Sequence, residues 1–145
     1  LPHRLQEPFL LSSKVLSYLE IDDSTDLKMS ELVLQNELRL PTTPSERLLI
    51  QALTRAIAKR AAYLSAIPLA AIVKRVKDQY ANDPNDFEVG CDGSLIEHYP
   101  GFKEKILEAF DLIGPLKGSS KKLKIRIAKD GSGVGAALCA STVKD

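Results

Sequence analysis

The chain has 145 residues, 44% hydrophobic and 27% charged, with a formal net charge of +1. That composition belongs to a globular domain with a real core and excludes a disordered segment. A balance so close to neutral supplies no field for holding nucleic acid or an anionic membrane, so neither is an expected partner.

The first residue is Leu1 and the one methionine is Met29, which leads to the expectation of a processed or truncated product. No cationic n-region precedes an apolar h-region, so no secretory signal is expected. Residues 1–9 hold Pro2 and Pro8 and read as an irregular connection. Ser12 and Ser13 offer an N-cap to a short helix with Val15, Leu16 and Leu19 on one face. The acidic stretch 22–26 reads as a solvated turn that ends this helix and starts another. Leu27, Leu32, Leu34 and Leu38 supply the stripe of that second helix, which closes near Arg39-Leu40-Pro41.

Thr43-Pro44-Ser45-Glu46 is a strong start signal: Thr43 caps, Pro44 takes the first helical position, and Glu46 completes a capping box. Apolar residues follow densely from Leu48 to Leu64, predicting a helix buried on more than one side. Pro68 predicts a kink or restart there. The richest apolar run, 61–73, is flanked by Arg60 and Lys74, so no stretch reads as long enough to span a bilayer. Residues 82–86, Asn-Asp-Pro-Asn-Asp, form a loop.

The last third reads as β-α-β-α. Residues 87–91 form a strand that ends in Asp92-Gly93-Ser94; Pro100 starts a helix with Phe102, Ile106, Ala109 and Phe110 on its buried face, and Gly114-Pro115 stops it. Residues 123–127 alternate as a strand with one face buried, and Ala136 onward begins a terminal helix. Two parallel strands joined by a crossover follow, and two strands alone make no stable sheet. Helices must cover the pair, or partner strands lie outside the chain.

Function is to be sought where strands deliver polar turns. Ligands of open α/β sheets bind outside the carboxyl ends of strands. Asp92-Gly93-Ser94 suits a nucleotide contact, with Gly93 allowing close approach and Ser94 offering a donor. An ordinary βα turn with a serine cap is the better reading of the tripeptide alone. Residues 131–135, Gly-Ser-Gly-Val-Gly, have a spacing that matches neither the dinucleotide fingerprint nor the Walker loop. They read as close packing of the terminal helix on the sheet. His98 and His3 have no metal-ligand partner at useful spacing. Lys59-Arg60, Lys74-Arg75-Val76-Lys77 and Lys121-Lys122 read as solvated faces. Cys91 and Cys139 form no CxxC or Cys/His cluster and read as two buried, reduced thiols of a cytosolic protein.

Taken together, several ordered motifs resemble one family. Val89-Gly90-Cys91-Asp92-Gly93-Ser94-Leu95, Tyr99-Pro100-Gly101-Phe102 and Lys129-Asp130-Gly131-Ser132-Gly133-Val134-Gly135-Ala136-Ala137-Leu138 resemble the C-terminal end of hexokinases. Residues 57–72, with Lys59-Arg60-Ala61-Ala62-Tyr63, and residues 15–22 are similar to the preceding helices of that family. The resemblance covers essentially the whole chain and is strongest to fungal glucokinases.

It implies an α/β, helix-rich fold, the C-terminal portion of an actin-like, ribonuclease-H-like ATPase large domain, with residues 1–145 an incomplete domain. The implied activity is transfer of the terminal phosphate of ATP, with Mg2+, to the 6-hydroxyl of glucose or another hexose in the cytoplasm. Asp92, Gly93, Ser94 and Leu95 would lie in the family's adenosine motif, and Ser13, Lys14 and Ser17 would also line the nucleotide site. The family's phosphate loops, catalytic aspartate and hexose-binding carboxylates correspond to nothing in this chain, so no catalytic or metal-ligating residue is assigned in it. A non-catalytic hexokinase-like regulatory or interaction protein is the alternative reading.

Overall fold

The computed structural model describes residues 3–6, 8, 11–79 and 87–142, so the loop expected at 82–86 lies outside the described residues. The chain divides into two compact units, residues 1–61 and 62–145.

The first unit is built on a helical pair, α1 (Ser13–Ile21) and α2 (Lys28–Leu38). Ser12 caps α1 as its sequence predicts, its hydroxyl accepting from the Lys14 amide at 3.2 Å. Val15, Leu19, Leu34 and Leu38 form the core of the pair. The stripe expected on α2 is corrected at one position. Leu27, Ser30, Leu34 and Leu38 are buried, whereas Leu32 is exposed, because a helix beginning at Lys28 carries residue 32 to the opposite face.

The turn between the helices is solvated at residues 23–26, as its composition suggests, but not at Asp22. Asp22 is only 2% exposed. Its carboxylate accepts from the Ser24 amide at 3.1 Å, the Ser24 hydroxyl at 2.6 Å and the Ser30 amide at 2.6 Å. A short sequence stretch rich in Asp hides this role, since only the fold decides which carboxylate turns inward.

The third helix, α3 (Pro44–Gln79), opens with the expected capping box: Glu46 accepts from the Thr43 amide at 2.7 Å, and Thr43 Oγ1 accepts from the Glu46 amide at 3.3 Å. In the first unit α3 buries polar residues, Arg47, Gln51 and Thr54. Arg47 donates to the carbonyls of Asp26 (2.9 Å) and Thr42 (2.7 Å), and Gln51 to those of Leu19 (2.9 Å) and Asp22 (2.6 Å). Carbonyls at the end of α1 lack intrahelical donors, and Gln51 supplies them.

Three expectations about α3 are corrected. The helix continues through Pro68 without a break; proline removes one backbone donor, and the remaining ladder of a 36-residue helix carries the segment past it. Nor is it buried on several sides. Its buried line is Arg47, Gln51, Thr54, Ala58, Ala62, Ala66, Ala70 and Val73, while Leu48, Leu49, Leu53, Ile57, Leu64, Ile67 and Ile72 are exposed. By length and composition α3 is also long and apolar enough to cross a membrane, although only 28% of its most apolar window is buried. That corrects the expectation, which rested on interrupting charges such as Arg60 and Lys74, that no stretch has the length.

The second unit holds β1 (Phe87–Cys91), α4 (Ser94–His98), α5 (Phe102–Leu112), β2 (Leu123–Ile127) and α6 (Gly131–Thr142), with the last part of α3. The strands pair in parallel with Phe87 opposite Leu123 and Cys91 opposite Ile127. Alternation puts Leu123 and Ile125 inside and leaves Glu88 and Arg126 outside, where they form a bidentate pair at 2.8 and 3.0 Å. Phe102, Ile106, Ala109 and Phe110 form the buried face of α5, as predicted. Tyr63 of α3 donates to Glu108 of α5 at 2.7 Å, and Asp111 accepts from the Ser120 amide at 3.0 Å. Cys139 is exposed and Cys91 half-buried, both as free thiols, correcting the expectation that both are buried.

Asp22 generates a stability prediction. Burial pushes its carboxyl pKa up, but hydrogen bonds from Ser24 and Ser30 outweigh burial and hold it below the ordinary value. Asp22→Asn is expected to cost about 1.5–3 kcal/mol at neutral pH, the range for hydrogen bonds to a charged group. The contribution is complete above the unfolded carboxylate pKa of about 3.9 and is lost as pH falls through the lower folded value. Thermal unfolding of both proteins from pH 7 to 2 checks this: the gap between them narrows only in acid.

Candidate functional site

Parallel pairing brings the carboxyl ends of β1 and β2 to one edge. The Ala128 amide donates to the Cys91 carbonyl at 2.8 Å, extending the ladder one step beyond the strands. Beyond that bond the two turns diverge into α4 and α6.

The turn after β1 holds four of the residues singled out from sequence. Asp92, Gly93, Ser94 and Leu95 are all exposed. Gly93 has φ of +132°, a conformation glycine adopts readily and L side chains rarely do. A Cβ built there meets nothing within 4 Å, so the backbone stands open to an approaching group. Among the described residues the Ser94 side chain has no hydrogen-bond partner, and α4 has Gly93 as its N-cap without a side-chain cap. The serine cap considered for this turn is therefore absent, and the hydroxyl remains available.

Beside the turn lies an apolar cavity of about 360 Å³ lined by Leu69, Val89, Leu95, Ile96, Phe102 and Ile106 among others. Asp92 and Gly93 also border it. A concave apolar surface with a few polar groups at its mouth is the ordinary form of a small-molecule site. Neither the cavity nor α4 is identified from the sequence; the signal passed over is Leu95 and Ile96, apolar residues directly after a polar turn.

Ser13, Lys14 and Ser17 lie together on α1 in the first unit. Ser13 and Lys14 are exposed and Ser17 is half-buried. The Ser17 hydroxyl donates to the Lys14 carbonyl at 2.7 Å, and the Lys14 ammonium sits 5.8 Å from the Tyr18 ring centroid.

The glycine-rich turn differs from its expected form. The terminal helix begins at Gly131, five residues before Ala136, so the glycines form its first turn. None of its residues is buried, so the expected close packing on the sheet is kept only at Gly131, where an added Cβ would lie 3.2 Å from the Ala128 Cβ, and is absent at Gly135. Two carboxylates occupy the space around that first turn instead. Asp92 Oδ2 accepts from the Ser132 amide at 3.1 Å. Asp130, itself at φ of +51°, lies where a Cβ on Gly133 would come within 2.5 Å of Oδ1. Carboxylates are favourable at a helix N-terminus, where amides lack intrahelical acceptors.

Among the described residues no group of three or more His, Cys, Asp or Glu is arranged to hold a metal ion. His98 is exposed and stands 3.8 Å from Glu97.

Comparison with known proteins gives a consistent result. The family model described as Hexokinase matches residues 1–142. Glucokinase-1 of Saccharomyces cerevisiae is 53% identical over 140 residues, covering 97% of this chain and 28% of that protein. Glucokinase-1 of Kluyveromyces lactis is 47% identical over 136 residues, covering 92% of this chain and 28% of that one. A crystal structure of hexokinase shares the fold with a TM-score of 0.81 at 24% identity, over 97% of this chain and 31% of that chain. The chain therefore spans little more than a quarter of the length of these two relatives.

The backbone at the turn yields a contrast between neighbours. Gly93→Ala places a Cβ at φ of +132° and is expected to destabilise by about 1–3 kcal/mol. Gly90→Ala, in a strand with open space around it, is expected to cost nothing and to gain a few tenths of a kcal/mol, roughly, from reduced unfolded-state entropy. Urea unfolding of the two variants beside the wild type checks the difference.

Proposed function

The chain belongs to the hexokinase family, and we propose that it is the C-terminal part of the large domain of an ATP-dependent hexose 6-phosphotransferase, supplying the adenosine side of the ATP site. Its fold, helix-rich with a small parallel sheet, is consistent with a C-terminal piece of an actin-like kinase domain. The observation that carries the proposal is the turn after β1. It combines a side-chain-free backbone at Gly93, an unengaged hydroxyl at Ser94 and an apolar cavity alongside.

Each part has a physical task. The cavity wall from Leu95 suits one face of a flat, largely apolar base. Gly93 admits a sugar or phosphate to backbone contact, and the Ser94 hydroxyl donates to an anionic oxygen or accepts from a ribose hydroxyl. Ser13, Lys14 and Ser17 are proposed as a second lining segment, with Lys14 as the cation. No Mg2+ ligand is assigned in this chain, and the metal that accompanies ATP is proposed to be held by residues elsewhere in the parent protein, along with the base and the hexose contacts. Phosphoryl transfer depends on positioning and charge neutralisation; this chain is assigned to positioning. The sugar acceptor is proposed to be glucose or another hexose, and the two free thiols suit a reducing cytoplasm.

Exposed apolar residues agree with a larger parent. Seven leucines and isoleucines of α3 face outward, and among the described residues each strand of the two-stranded sheet has a neighbour on only one side. Further chain in the parent would cover both surfaces.

Two measurements test the proposal. The isolated chain is expected to produce no glucose-dependent ADP, and clear turnover by it would contradict the assignment. In the full-length protein, Ser94→Ala is expected to raise the KM for ATP about 2–10-fold, the loss of one hydrogen bond, with the KM for hexose unchanged. An unaltered KM for ATP removes the nucleotide from this turn.

A further inference from the structure

We infer that Asp92 is a positioning residue, clasping the turn after β1 to the first turn of α6 and so setting the backbone that Gly93 and Ser94 present. The inference rests on the nucleotide reading of that turn, but it gives Asp92 a different task from its neighbours. Its carboxylate is already engaged, with Oδ2 accepting from the Ser132 amide at 3.1 Å. A bare Gly131 helps this approach: an added Cβ would lie 3.2 Å from the Ala128 Cβ and 3.6 Å from Asp92 Oδ2.

The chain before Gly93 is thus held twice, by the Ala128 amide on the Cys91 carbonyl at 2.8 Å and by Asp92 on Ser132. Gly93 is the most permissive residue in the turn, with open space around it, so its conformation depends on what anchors its neighbours. A carboxylate is also a poor direct partner for a polyphosphate, since like charges repel. With Asp130 close to the same helix turn, the partial positive end of α6 is met by the chain's own carboxylates. That turn is accordingly assigned to holding the site together and not to binding phosphate.

The test uses Asp92→Ala, Asp92→Asn and Ser94→Ala in the full-length protein, with amide hydrogen exchange at Ser132 read beside ATP kinetics. Asparagine keeps an acceptor oxygen and removes the charge. Asp92→Ala is expected to speed exchange at Ser132 about tenfold, as for loss of one hydrogen bond, and to raise the KM for ATP several-fold with little change in kcat. Asp92→Asn recovers most of the protection and most of the ATP affinity. Unchanged exchange in Asp92→Ala overturns the clasp. An Asp92→Asn as impaired toward ATP as Asp92→Ala overturns positioning and makes the charge itself the contact. If Ser94→Ala weakens ATP and Asp92→Ala does not, positioning alone fails; if neither changes ATP kinetics, the nucleotide reading fails and positioning with it.

Discussion

The in-register parallel pairing of β1 with β2 is the constraint on which the candidate site depends. Parallel strands send both carboxyl ends to the same edge, so two turns whose strands pair 36 residues apart, Cys91 opposite Ile127, become neighbours. An antiparallel pair would have placed them at opposite ends. Side-chain alternation secures the register: a slip of one residue would turn Ile125 outward and carry Arg126 into the core. With the register held, the Cys91 and Ala128 backbones meet, Asp92 reaches Ser132, and Gly93 and Ser94 project beyond the sheet.

The first unit is held by a different device. Its helical pair has a small apolar core, and the joints are polar: Asp22 takes three donors, and Arg47 and Gln51 from α3 take four carbonyls. Buried polar groups are costly unless satisfied, and satisfied ones specify a single arrangement. Asp26 and Leu27, both at positive φ, sit in the turn these groups hold. The result fixes the position of α1, which carries Ser13, Lys14 and Ser17.

Local rules served best where one neighbour decides the outcome. Phe87–Cys91 and Leu123–Ile127 follow their alternation residue for residue, α5 buries the four residues its periodicity selects, and Thr43 and Glu46 form the reciprocal cap. Where the outcome depends on what faces the element, sequence alone misled. Hydropathy assigns the leucines of α3 to the interior, yet its alanines and polar residues are buried and Leu48, Leu49 and Leu53 are exposed. Asp22 and Asp23 look alike in sequence, but only Asp22 meets the Ser30 amide. The first turn of α6 is rich in glycine, a poor helix former; two carboxylates at its N-terminus, one from the distant turn at Asp92, are what sequence spacing did not reveal. The assignment of Asp92 to Leu95 to a nucleotide came from resemblance to hexokinases, since the tripeptide itself favours an ordinary turn.

The proposed nucleotide site is one turn: a sheet edge, a clasp behind it and an open glycine-serine pair in front. A crystal structure of the full-length protein with hexose and a non-hydrolysable ATP analogue tests it most directly. The account predicts the analogue against Gly93 with an oxygen in hydrogen-bonding reach of Ser94, and Asp92 still on Ser132. A nucleotide bound away from residues 92–95, with this turn facing only solvent or packed against other protein, would contradict it.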